Sequence, residues 1–167
     1  MKKSILTLCV LVLTIGYSKA QQSKMTPKVQ YSKIVNVPAN KLWKVVRQLD
    51  QIDKYSSVIA SVEYNGAIGK GGERVCHTAD GKGYFKERIV AFNDKDKSYS
   101  YSLLEGAPVK GMINTMKVVD LGQGKSVLVW WSYYDEFIQN PQMTEEQFQA
   151  FMLNSIEELT QKMAMDS

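Results

Sequence analysis

Cysteine and histidine are nearly absent from this chain. Its 167 residues hold two cysteines, Cys9 and Cys76, and one histidine, His77. Cys9 falls in the N-terminal apolar run, so Cys76 has no internal partner and a disulfide framework is excluded. One histidine and one thiol do not make a metal site, which needs several converging ligands. No metal and no other cofactor is expected. Gly66, Gly69, Gly71 and Gly72 cluster but lack the Gly-Lys-Ser/Thr ending of a phosphate-cradling loop, so they read as a strand connection. Internal repeats and low-complexity segments are also missing.

The chain starts Met-Lys-Lys, continues with an apolar run from Ile5 to Ile15, and then reads Gly-Tyr-Ser-Lys-Ala. This is the charged, apolar and small-residue pattern of a signal peptide, with Ser18 and Ala20 at −3 and −1 of the cleavage site. The apolar run is too short to span a bilayer. Cleavage after Ala20 leaves 147 of the 167 residues and removes Lys2, Lys3 and Lys19, so the formal charge falls from +4 to +1. The basic balance therefore belongs to the targeting segment and gives no support for nucleic-acid binding. The expectation is an exported protein, periplasmic or secreted, with no stable membrane anchor after cleavage. Residues 1–20 are the signal peptide, 21–28 a short disordered lead, and 29–167 a single domain. The oligomeric state is left open.

The stretch from Glu73 to Leu104 organises the rest. Asp80-Gly81 predicts a two-residue hairpin turn, because both central positions of that turn need positive φ. The register then places Arg74 opposite Glu87 and Glu73 opposite Arg88, two pairs of opposite charge. Side chains alternate along a strand, so the two pairs point to opposite faces. Arg74 and Glu87 share a face with Cys76, Phe85, Ile89 and Ala91, which is the more apolar and is placed inward. Glu73 and Arg88 go to solvent with Val75, His77, Tyr84 and Lys86.

Ahead of this hairpin, Val29 to Val37 reads as a first strand. Pro38-Ala39-Asn40 opens a helix with Leu42, Val45, Val46 and Leu49 on one stripe. Asp50 to Ser57 reads as a short helical piece, and Val58 to Ala67 as a strand. Behind it, Ser98 to Leu103 alternates, with Tyr99, Tyr101 and Leu103 inward. Val109 to Val119 is one strand with Met112, Asn114 and Met116 on one face. Ser126 to Phe137 is the longest strand, with Leu128, Trp130, Ser132 and Tyr134 on one face and Val129, Trp131 and Tyr133 on the other. Thr144-Glu145-Glu146-Gln147 matches a capping box. It opens a last helix whose stripe holds Phe148, Phe151, Met152, Ser155, Ile156, Leu159 and Met163. The fold class is α+β: a curved antiparallel sheet of about seven strands around a long C-terminal helix, with one or two short helices after the first strand.

Several segments carry a family resemblance. They are Val37-Pro38-Ala39-Asn40-Lys41-Leu42-Trp43, Gly71-Gly72-Glu73-Arg74, Lys86-Glu87-Arg88-Ile89, Ser98-Tyr99-Ser100-Tyr101 and Ser126-Val127-Leu128-Val129-Trp130. In this order and spacing the chain resembles the START-like superfamily, also called SRPBCC or polyketide cyclase/dehydrase and lipid transport, with the helix-grip fold. The resemblance covers nearly all of the chain after the signal peptide and is specific for fold rather than activity. Plant members of the superfamily carry an Arg and a Glu at the positions of Arg74 and Glu87, near a hormone cavity. Their gate loop corresponds to Glu105-Gly106-Ala107-Pro108.

One helix across one curved sheet leaves a cavity between them. Its expected lining is Arg74, Phe85, Glu87, Tyr99, Tyr101, Met112, Asn114, Met116, Trp130, Tyr134, Phe148, Phe151, Met152 and Ser155. Core filling is the bland alternative for the apolar members, and a structural ion pair is the alternative for Arg74 and Glu87. His77 reads as surface and Cys76 as an inert buried thiol. The preferred function is binding of a small hydrophobic or amphipathic molecule, with Arg74 meeting a polar ligand group and no catalytic residue assigned. One alternative is a cyclase or dehydratase-like enzyme in which Glu87, Tyr99 or Tyr101 moves protons. Another is a partner-binding module with a filled core, working through Trp131 and Tyr133.

Overall fold

The computed structural model describes residues 26–167. The predicted signal peptide and most of the predicted lead lie outside the described residues. Strand β1 (Val29–Val35) is followed by helix α1 (Ala39–Val46) and a single 3₁₀ turn (Ile52–Lys54). Strands β2 (Ile59–Asn65), β3 (Glu73–Thr78), β4 (Tyr84–Asn93), β5 (Ser98–Glu105), β6 (Val109–Lys110), β7 (Ile113–Gly122), β8 (Lys125–Tyr133) and β9 (Glu136–Phe137) come next. Helix α2 (Glu145–Met165) closes the fold.

Seven strands form one curved antiparallel sheet in the order β1-β8-β7-β5-β4-β3-β2, so β1 returns to pair with β8 near the end of the chain. Its inner face carries Cys76, Ile89, Tyr99, Met116, Val118, Leu128 and Trp130, all buried with α1 and α2 in one core. Alternation does this directly: β8 reads Ser126, Leu128, Trp130 and Ser132 inward, while Val127, Val129, Trp131 and Tyr133 are half-buried on the outer face. Helix α1 starts after Pro38, whose fixed φ suits a helix start. It buries Leu42, Trp43, Val45 and Val46, with Leu49 buried just beyond it. Trp43 Nε1 donates to Asp94 Oδ1 at 2.8 Å, which ties α1 to the β4–β5 turn. Helix α2 carries the expected capping box: Gln147 N donates to Thr144 Oγ1, and Thr144 N donates to Gln147 Oε1.

The β3–β4 register is as predicted, with Arg74 opposite Glu87 and Glu73 opposite Arg88. The turn chemistry differs. Thr78 N donates to Gly83 O, and Gly81 N donates to Thr78 O. Gly81 has φ +68°, while Asp80 is not in the positive-φ region. The loop is thus four residues long. Asp80 Oδ1 accepts from Thr78 Oγ1 and Lys82 N, a side-chain turn that replaces the two-residue form.

Three further expectations are corrected. Ala91 points out rather than in. A bulge between Ile89 and Ala91 shifts the pairing, and Phe92 turns inward opposite Tyr99, against Trp43. The segment from Val109 to Val119 is two strands, broken at Gly111-Met112. Gly111 has φ +65°, which side chains rarely adopt, and a Cβ there would displace the Asp135 carboxylate. The strand from Ser126 to Phe137 is likewise broken at Tyr134-Asp135. Its tail, β9, pairs with β6 as a separate two-stranded ribbon.

Candidate functional site

A cavity of about 140 Å³ lies between the sheet and α2. The hairpin supplies its base: Arg74 and Cys76 from β3, and Phe85 and Glu87 from β4. Strands β5, β7 and β8 add Tyr101, Leu103, Asn114 and Trp130, with Met112 just ahead of β7. The roof is α2, through Phe148, Phe151, Met152, Ser155, Ile156 and Leu159. The stretch from the 3₁₀ turn to the start of β2 gives a side wall of Ile52, Ser56, Val58 and Ile59, and Ala107 comes from the β5–β6 loop. Val58, Ile59, Leu103, Ala107, Phe151 and Ser155 are partly exposed and mark the mouth, while Arg74, Cys76, Met112, Asn114 and Trp130 are buried behind them.

Arg74 is 1% exposed. Its Nε donates to Glu87 Oε2 at 2.5 Å and its Nη1 to the Leu49 carbonyl oxygen at 2.9 Å. The guanidinium lies 4.9 Å from the Tyr101 ring centre, a cation–π contact. Burial lowers its proton affinity, but the Glu87 carboxylate, together with Tyr99, Cys76 and Tyr101, more than reverses this, so Arg74 stays charged. One side chain therefore joins β3, β4 and the Leu49 carbonyl just beyond α1. On the opposite face, Arg88 donates to Glu73 Oε1 through Nε at 2.8 Å and Nη2 at 2.5 Å, in solvent. His77 pairs with Glu63 at 3.0 Å on that outer face, beside Tyr84.

The other titratable lining groups with shifted values move away from neutrality. Burial pushes the Cys76 thiol up to about 12, with Glu87 adding to the shift. Burial also pushes the Tyr101 hydroxyl up, and Glu87 again reinforces it. Both groups hold their protons at neutral pH. Among the described residues, no group of three or more His, Cys, Asp or Glu side chains converges to hold a metal ion.

Eleven of the fourteen expected site residues line the cavity: Arg74, Phe85, Glu87, Tyr101, Met112, Asn114, Trp130, Phe148, Phe151, Met152 and Ser155. Tyr99, Met116 and Tyr134 do not. Tyr99 packs under α1, 6.4 Å from Trp43 and 5.9 Å from Tyr101 between ring centres. Met116 lies between Tyr99 and Trp130 in the sheet. Tyr134 turns to the start of α2, where its hydroxyl donates to Glu145 Oε1 and accepts from Gln149 Nε2, each at 2.8 Å.

The side wall Ile52–Ile59 was missed, since it carries no periodic signal and only the path of the chain brings it to the cavity. Ala107 was left out of the expected lining, although it lies in the loop that the family resemblance matched to a cavity gate. Cys76 and Leu103 had a signal, since alternation from Arg74 and Tyr101 puts both on the inner face.

The family described as "Polyketide cyclase / dehydrase and lipid transport" matches residues 26–164. Among curated proteins, no sequence matches this chain. Solved structures are similar in fold. Protein XoxI of Bacillus cereus is 16% identical, with 82% of this chain and 92% of that one covered at a TM-score of 0.71. An uncharacterised protein of Bacillus thuringiensis is 17% identical, with 81% and 97% covered at 0.68. A protein of Nitrosospira multiformis is 18% identical, with 84% and 95% covered at 0.68.

Proposed function

Because the chain belongs to the polyketide cyclase / dehydrase and lipid transport family, we propose that it is a binding protein for a small apolar or amphipathic molecule held between the sheet and α2. One observation carries this reading: an apolar cavity whose only ion pair, Arg74–Glu87, is already matched within the protein. Volume sets the scale. An apolar protein cavity of roughly 150 Å³ takes up one benzene molecule. At about 140 Å³ this cavity suits a ring-sized ligand, and a long acyl chain would require the mouth or α2 to move. The family description also covers catalysis. The shifted values of Cys76 and Tyr101 favour carriage over proton transfer, since neither group exchanges a proton near neutrality. Glu87 would then orient Arg74 rather than act as a base. We also propose export, on the strength of the N-terminal sequence pattern alone.

Thermal unfolding against a panel of neutral ring compounds and fatty acids tests the reading. A ligand present at a hundredfold its Kd adds about 2.7 kcal/mol and raises Tm by several degrees. Ring compounds are expected to do this and to be recovered unchanged. A panel in which nothing raises Tm would overturn the binding role. Consumption of a bound compound that stops in Glu87→Gln, with binding intact, would replace it with the enzymatic one.

A further inference from the structure

The roof and the side wall of the cavity are tied to each other beside its mouth. Glu158 Oε2 accepts from Ser57 N at 3.1 Å and from Ser57 Oγ at 2.7 Å. The second oxygen, Oε1, meets Lys162 Nζ at 2.7 Å, one turn along α2. Hydrogen bonds to a charged acceptor are shorter and stronger than those between neutral groups. One carboxylate on the roof therefore holds both the backbone and the side chain of a residue in the wall.

This clasp sits where a ligand too long for the cavity would have to leave it. Ser57 lies between Ser56 and Val58, two residues of the side wall. Phe151, Ser155 and Glu158 recur at helical spacing, so they share one edge of α2. Val58 and Ile59 are the partly exposed mouth residues of the wall, and Phe151 and Ser155 those of the roof. Holding Ser57 to Glu158 thus holds these two sides of the mouth together. Other ties of α2 lie at its ends. The Tyr134 hydroxyl bonds Glu145 and Gln149 at the helix start. The Tyr55 hydroxyl donates to Asp166 Oδ2 at 2.6 Å, beyond Leu159, the last residue of α2 that lines the cavity.

We propose that the Ser57–Glu158 clasp sets the length limit of the ligand. Closed, it confines the site to ring-sized molecules. Released, it lets an alkyl chain run out between Val58–Ile59 and Phe151–Ser155. This rests on the reading of the cavity as a ligand site. A ring compound fits the cavity of about 140 Å³ as it stands. A chain ligand binds only the opened form, so its apparent affinity is reduced by the fraction of molecules that are open. Loss of the clasp raises that fraction.

Isothermal titration with toluene and 1-decanol, both neutral, tests the proposal in the unmodified protein and in Ser57→Ala, Glu158→Ala and Tyr55→Phe. The unmodified protein is expected to bind toluene one to one and 1-decanol more weakly. Glu158→Ala is expected to bind 1-decanol about tenfold tighter, the change made by about one net hydrogen bond, with toluene unchanged. Ser57→Ala keeps the amide donor and is expected to show a smaller gain. Tyr55→Phe frees the end of α2 but not the clasp, and is expected to leave both affinities unchanged. 1-Decanol binding as tightly as toluene in the unmodified protein, or no gain in Glu158→Ala, would overturn the proposal and leave the ring site standing. An equal gain in Tyr55→Phe would overturn it too, by making general loosening of α2 the cause. If neither probe binds any of the proteins, the binding role falls with it. The comparison of the two probes in the unmodified protein stands even if a variant does not fold.

Discussion

Arg74 and Arg88 lie on the two adjoining strands of one hairpin, each directly opposite a glutamate, and their energetics are opposite. Arg88 and Glu73 meet in solvent, where an ion pair contributes about 0–1 kcal/mol. Arg74 and Glu87 meet inside, where removing one partner strands a buried charge at a cost of about 3–5 kcal/mol. Urea unfolding should therefore show Arg74→Ala as severely destabilised and Arg88→Ala as nearly unchanged. Arg74→Met with Glu87→Leu should recover most of the loss, since no charge is then left unpaired. A double variant no more stable than Arg74→Ala would show that the stranded Glu87 charge is not what the loss of the arginine costs. Glu158 gives a test in pH. Hydrogen bonds from Lys162 and Ser57 hold its carboxyl at about 2, below its ordinary 4.5. A depressed folded-state pKa adds stability above the unfolded value, and that stability is lost as pH falls toward the folded one. The Tm gap between the protein and Glu158→Gln should be full above pH 4.5 and shrink as pH falls toward 2.

At the scale of elements, pairing was easier to read than breaks. The turn centre at Asp80-Gly81, supported by the charge pairs, located the β3–β4 register correctly even though the turn is four residues rather than two, because every loop centred on the same point gives the same partners. The Thr144 capping box was legible because it is purely local. The bulge at Ala91 was not: nothing in the local alternation distinguishes Ala91 from Phe92, and the packing of Phe92 on Trp43 decides the matter. The break before β7 falls at Gly111, whose positive φ the alternation of the segment does not announce. Gly106 gives the element-scale prediction. It has φ +106°, and a Cβ there would sit 2.0 Å from the Tyr84 carbonyl oxygen. Gly106→Ala must therefore displace the loop that carries Ala107 to the cavity mouth. The expected cost is at least about 1–3 kcal/mol of stability, with weaker ligand binding. Unchanged unfolding and binding would show that this loop yields freely.

At the scale of the molecule, strand order and the stripe on α2 were enough to anticipate a sheet gripping a helix, with Arg74, Glu87 and Trp130 facing Phe148 of that helix. The side wall, Ile52 to Ile59, was not legible, since it carries no periodic signal and only the path of the chain brings it to the cavity. Cavity volume was not legible either, because it depends on how Met112, Met152 and Tyr101 share the space. The space itself is therefore what to test. Ser155, at the mouth on α2, is a position where a larger ring would fill it. Native mass spectrometry of the protein isolated gently from its own source, compared with Ser155→Phe, is the most direct measurement. A bound small molecule at one per chain in the first sample, absent from the folded variant, is the expected result. A protein that carries nothing, takes up no added ring compound and behaves like Ser155→Phe would mean that its own side chains fill the cavity, contradicting the binding role.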